Sequence, residues 1–189
     1  MNKFYTLLCG LLFCQAALFA QNTTISTNFT NNNGQQCVVF NVENTNSTAR
    51  KLVGLASAHF AASATPANVT VWYKTSAISG APGAISTANG WVVGGTATVA
   101  TTTTSSTFFN NLCIDIPANS TYGICLSSSQ TIAYQTLAAG TYTFSGGGCN
   151  LITGIGVGFG GVLTGPTFTL CGFFLEVLLS AILPPMMLG

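Results

Sequence analysis

The sequence predicts an all-β fold, an antiparallel sandwich of jelly-roll or immunoglobulin-like kind with about 8–10 strands. Three observations predict it. Apolar residues fall in short runs separated by Gly, Asn, Ser and Pro. No window sustains the i, i+3, i+4, i+7 spacing of an amphipathic helix. Turn signals recur at roughly ten-residue spacing, too close for the helical crossovers of a parallel sheet.

Taken in order, Val38-Val39-Phe40-Asn41-Val42 is a strand that ends in a polar turn at 44–48, and 51–60 is a second, weakened by its alanines. Val69 to Lys74 is β-branched and aromatic, the composition that best suits a pleated, half-buried surface. Residues 79–89 form a loop around Gly80, Pro82 and Gly83, and Trp91 to Thr104 carries β-formers with Thr at alternate positions. Leu112 to Ile116 stops at Pro117, which has no N–H to give to a ladder. Strands are expected again at 121–126, 131–134 and 141–145, then a glycine-rich stretch at 146–161 and a strand at 167–170.

The chain has 189 residues, 48% hydrophobic and 11% aromatic, but only 4% charged. That is enough apolar material for one core, with hydroxyls and amides supplying the wet surface. Beyond residue 20 the cations are Arg50, Lys51 and Lys74, too few to neutralise a phosphate backbone, so nucleic acid is not an expected partner.

Residues 1–20 read as an export signal: Lys3, an apolar run from Phe4 to Leu18, then Ala20 before Gln21. Cys9 and Cys14 follow Leu8 and Phe13 rather than the small residue of a lipoprotein cleavage box, so plain export to the outside or the outer cell surface is expected. The domain is assigned to 21–174. The stretch 168–183 is apolar but contains Glu176, is shorter than the roughly 20 residues of a span and lacks a basic flank, so no transmembrane segment is expected in the mature domain. A second reading takes the tail 175–189 as out of frame. Regrouping its codons yields Gly-Ser-Val-Thr-Phe-Ser-Asn-Thr-Pro, which alternates like a strand, and the natural polypeptide would then continue past the printed end.

Val71-Trp72-Tyr73-Lys74, Ser79-Gly80-Ala81-Pro82-Gly83, Gly90-Trp91, Ile116-Pro117-Ala118 with Thr121-Tyr122-Gly123, and Ile132-Ala133-Tyr134 follow one another in a recognisable order. The pattern resembles a β-sandwich domain recurrent in secreted bacterial surface proteins, often cargo of the type IX secretion route. The resemblance covers most of 25–174 and implies a non-catalytic module within a longer polypeptide. Asn119 stands where that domain usually has Gly, a substitution that Asn's tolerance of left-handed backbone permits. Leu170-Cys171 replaces a usual Pro-Arg before Gly172-Phe173, and a last strand of Gly-x-Val-x-Phe kind is present only in the regrouped tail.

Chemistry-bearing residues are few. His59 is the single histidine, which excludes a multi-imidazole zinc site and leaves any triad to His59 with Asp115 or Glu43. A paired-carboxylate glycosidase would need Glu43 and Asp115. Gly156 to Gly161 matches G-x-G-x-x-G, but no helix follows to present its amides to a phosphate, so a glycine-rich strand connection is the better reading. On this count the chain is expected to be no enzyme and to carry no cofactor or metal.

Five cysteines lie beyond the leader, Cys37, Cys113, Cys125, Cys149 and Cys171. An odd number allows at most two disulfides, with Cys171 a candidate for the leftover thiol. Cys113 and Cys125 are read as small buried hydrophobes. The aromatics give the only binding lead: Trp72 and Tyr73 are consecutive in a strand and point to opposite faces. With Trp91 and Tyr134 they form the candidate ligand-binding set, and Tyr122 and Tyr142 are further residues able to stack on sugar rings. The leading functional expectation is a structural or adhesion module whose partners are glycans or cell-surface proteins. The alternative is an ancillary carbohydrate-binding domain detached from a larger secreted hydrolase.

Overall fold

A computed structural model describes residues 22–27, 32–80, 82–136, 141–158, 162–163, 171–173 and 176–181. The predicted signal peptide, the expected strand at 167–170 and the tip of the glycine motif at 159–161 lie outside them. The described residues are strands joined by turns, with one short 3-10 segment at Thr87–Asn89. The strands are β1 (Thr23–Ser26), β2 (Asn33–Asn44), β3 (Arg50–Ser57), β4 (Ala67–Lys74), β5 (Gly83–Ala84), β6 (Val92–Val99) and β7 (Ser106–Phe109). They continue with β8 (Ile114–Ile116), β9 (Ser120–Thr136), β10 (Tyr142–Gly146), β11 (Cys149–Gly158), β12 (Val162–Leu163), β13 (Cys171–Phe173) and β14 (Glu176–Ala181).

They build an all-β sandwich of antiparallel sheets. One sheet runs β1-β14-β3-β7, with β8 also on β3; the other runs β10-β11-β2-β9-β4-β6, with β13 on β9; β12 and β5 form a small ribbon. Alternation decides which side chains meet between the sheets. Val38, Phe40 and Val42 from β2, Val69 and Val71 from β4, and Ile124 and Leu126 from β9 face Leu52, Leu55, Ile114, Ile116, Val177 and Leu179 in one core.

Turn chemistry follows the sequence. β8 ends at Pro117, and Asn119 holds a left-handed φ of 52°, the conformation expected of the residue standing in for Gly. Gly147 and Gly148, both at positive φ, turn β10 into β11.

One expectation is corrected. Residues 121–126 and 131–134 are one strand, β9, whose register against β2 jumps between Gln35 and Cys37 instead of breaking in a turn. In the tail, Glu176–Ala181 pairs between β1 and β3 as β14. Val177 and Leu179 are fully buried while Leu178 and Ser180 are half-buried, so the tail does alternate. Leu178 disguises this, an outward leucine lying over Gly54, where an added Cβ would come within 3.1 Å of Leu178 Cβ.

Candidate functional site

The outer face of the larger sheet carries the site. On β4 the alternation that sends Val69, Val71 and Tyr73 inward sends Asn68 and Trp72 outward. On the neighbouring strand Trp72 is opposite Cys125, and Thr70 is opposite Ser127. The register jump in β2 and the irregular passage of β9 through 128–131 open the sheet surface beside Trp72. The result is a groove of about 260 Å³ lined by Trp72, Ile85, Gln36, Asn68 and Ser127 to Ser129.

Its lining has no charged side chain and is held from below. The Asn68 N–H donates to Ser129 Oγ at 2.9 Å, Thr98 Oγ1 donates to Asn68 Oδ1 at 3.0 Å, and the Gln130 N–H donates to Ser128 Oγ at 3.1 Å. Ser127 Oγ donates to the Thr70 carbonyl at 3.3 Å. A half-buried indole with fixed hydroxyl and amide groups around it can stack on a flat apolar ring face and hydrogen-bond its rim.

Of the aromatics predicted to bind, Trp72 alone lines this groove. Tyr73 is on the opposite face, packed on the main core and stacked on Tyr122 at a centroid separation of 6.0 Å and 4° between planes. Trp91 is 1% exposed and Tyr134 5%, so both are core residues, as is Tyr122. Their apolar area outweighed the polar handle that made them candidates. Tyr142 is half-buried on β10. Gln36, Asn68, Ile85 and the three serines carried no sequence signal: Gln36 enters through the register jump and Ser127 to Ser129 through the irregularity of β9, neither of which composition announces.

Trp91 closes a second, smaller cluster beneath the groove, with Cys37, Val39, Ile78 and Cys125, against which Trp72 and Ile85 pack. The loop that carries Ile78 is clamped at both ends of one amide: Asn41 Nδ2 donates to the Ile78 carbonyl at 3.1 Å and the Ile78 N–H donates to Asn41 Oδ1 at 2.9 Å. Gly123 has to be glycine here, because a Cβ would lie 2.3 Å from Ile78 Cγ1.

The cysteines sort by environment. Cys37 and Cys125 are fully buried with sulfurs 2.7 Å apart. Cys113 is exposed, not the buried hydrophobe expected, since it lies just before β8 and points away from the core that its neighbours Leu112 and Ile114 enter. Cys149 is buried, receives Asn46 Nδ2 at 3.6 Å and reaches Asn44 Oδ1 at 3.8 Å. Burial pushes its thiol up, against the opposing pull of Arg50 and the Asn46 hydrogen bond. Cys171 pairs by its backbone with Thr136.

The triad and paired-carboxylate candidates do not assemble. His59 is buried against Phe108, centroids 5.0 Å apart, and neither ring nitrogen has a hydrogen-bond partner. Asp115 is on the surface in an ion pair with Lys51, and Glu43 accepts from Asn150 Nδ2 at 2.6 Å. In the glycine motif, Gly156 and Gly158 lie in β11 opposite Val39 and Cys37. No group of three His, Cys, Asp or Glu able to hold a metal occurs among the described residues. No helix among them is long and apolar enough to cross a membrane.

No family model matches the chain. No curated protein matches it either. Solved structures similar to it include the clostridial cysteine protease Cwp84 after propeptide cleavage, at 11% identity and a TM-score of 0.47, covering 85% of this chain and 40% of that one. The cysteine protease and lectin-like domains of Cwp84, a surface layer associated protein of Clostridium difficile, follow at 14% identity and a TM-score of 0.35, covering 76% and 32%. The VP2 protein of infectious bursal disease virus, in T=1 particles, gives 13% and 0.31, covering 87% and 41%. The chain thus spans about two-fifths or less of the length of the structures it matches.

One further expectation is corrected. The count of catalytic groups predicted no enzyme, but it took Cys149, a buried thiol held by two amides, only as a disulfide candidate. The count had weighed histidine, carboxylate and glycine-motif chemistry and treated cysteines only as disulfide or core residues, so its exclusion of catalysis does not stand. At 11% identity the protease's activity remains that protein's own.

Proposed function

We propose that this chain is a secreted or cell-surface adhesion module that binds neutral glycans through the Trp72 groove. The observation that carries the reading is the groove's make-up: one half-buried indole and one isoleucine among amides and hydroxyls, with no charge in the lining. A sugar ring offers the matching surface, an apolar face of C–H groups and a rim of hydroxyls. The hydrogen bonds that tie Asn68, Ser127, Ser128 and Ser129 to the sheet reduce the entropy lost on binding. Export rests on the residue pattern of 1–20, and a surface location on the resemblance to domains of secreted bacterial surface proteins, including type IX cargo.

The test is a glycan array probed with the full chain and with Trp72→Ala. Binding to neutral saccharides that the substitution abolishes supports the proposal. Retention on cells with no glycan bound points instead to a cell-surface protein partner.

A further inference from the structure

We infer that Cys37 and Cys125 are a disulfide pair, closed during folding and then sealed beneath the groove. Three independent observations converge on it. First, the β2–β9 register sets Cys37 opposite Ser127 and Cys125 opposite Val39, so the two cysteines are diagonal neighbours on one face of adjacent antiparallel strands. Second, the sulfurs touch, 2.7 Å apart, with both residues fully buried. Third, Cys113 and Cys149 do not compete: Cys113 is exposed just before β8, and Cys149 is engaged with Asn44 and Asn46.

The bond forms by thiol–disulfide exchange with an external small-molecule disulfide such as oxidised glutathione. One thiolate attacks that disulfide and expels a first small thiol. The second cysteine, deprotonated, then attacks the mixed disulfide and expels the other. Two protein thiols and one external disulfide give one protein disulfide and two external thiols, the two protons ending on the leaving thiols. This exchange has to precede closure of the 75–91 loop, since Ile78 and Trp91 cover the pair in the folded chain. Burial also holds the Cys125 thiol well above its ordinary range, so a pair left reduced at closure stays unreactive.

The placement bears on binding. Trp72 is the register partner of Cys125 and packs on the same small cluster, so the crosslink fixes the strands that position the indole.

The experiment refolds the full chain in a glutathione redox buffer, alkylates it in denaturant without reductant, digests it with pepsin at low pH and maps the labels by mass. The expected result is a Cys37–Cys125 linked peptide pair that is unlabelled before reduction and labelled at both residues after it. In Cys125→Ala, Cys37 becomes labelled without reduction. Treating the native protein with reductant should leave the pair intact, and adding denaturant should release it. Labelling of both residues before reduction, or linkage of either to Cys113, Cys149 or Cys171, overturns the inference. None of these readouts depends on glycan binding.

Discussion

Asn44 and Cys149 meet inside the sandwich, where the fully buried Asn44 amide accepts from the Cys149 thiol at 3.8 Å and ties three separate segments together. Its Nδ2 lies 2.9, 3.1 and 2.9 Å from the carbonyls of Thr48, Ile116 and Pro117, so one of its two N–H groups is shared between two of them, and its Oδ1 accepts from the Asn46 N–H at 3.0 Å. One amide thus joins the β2–β3 turn, the end of β8 and the start of β11.

Asn44→Ala leaves the buried Ile116 carbonyl and the partly buried Thr48 and Pro117 carbonyls without this donor. Each buried group left unpaired costs about 1–3 kcal/mol, so a loss of roughly 2–4 kcal/mol is expected in urea unfolding. Asn44→Asp keeps the acceptor and loses the donors, and should recover little. A change under about 0.5 kcal/mol would show that the amide ties nothing together.

Leu179→Ala tests whether the tail belongs to the domain. Leu179 is fully buried between β1 and β3, and removing a buried leucine typically costs about 2–5 kcal/mol. Leu178→Ala, on the outer side of the same strand, should cost much less. Equal and negligible effects of both substitutions on thermal unfolding would place the tail outside the core.

Burial holds His59 below its ordinary value of 6.5. In the unfolded chain the imidazole regains that value, so below about pH 6.5 the unfolded state binds the extra proton and the folded state resists it. The stability contributed by neutral His59 is therefore complete above that pH and falls as the pH drops toward the folded value. Melting temperatures from pH 7.5 to 5 should decline in the native sequence and decline less in His59→Leu. Parallel declines in the two proteins would exclude His59 as the cause.

Much of the fold was legible because period-2 alternation and turn residues act locally. Pro117 ended its strand and Asn119 took the left-handed turn, each for a reason contained in the residue itself. The failures are non-local. Nothing near Leu178 says that Gly54 waits across the sheet to receive it, so β14 read as a featureless apolar tail. Nothing near Trp91 says that the 75–91 loop folds back over Cys37 and Cys125 and buries it. The groove was half legible: the consecutive pair Trp72 and Tyr73 guaranteed one outward ring, but the serines beside it depend on an irregular register that only the paired strands create.

The account turns on Trp72, and titration of a neutral oligosaccharide selected on the array into the native chain, Trp72→Ala and Tyr73→Ala by isothermal calorimetry tests it most directly. Trp72→Ala should weaken binding by roughly tenfold or more, the loss of about 1.4 kcal/mol, measured at a temperature where the variant is still folded, since the indole also packs on the small cluster. Tyr73→Ala, on the core face, should keep its affinity and lose stability instead. Unchanged affinity in Trp72→Ala, with the protein still folded, would contradict the assignment of the groove as the binding site.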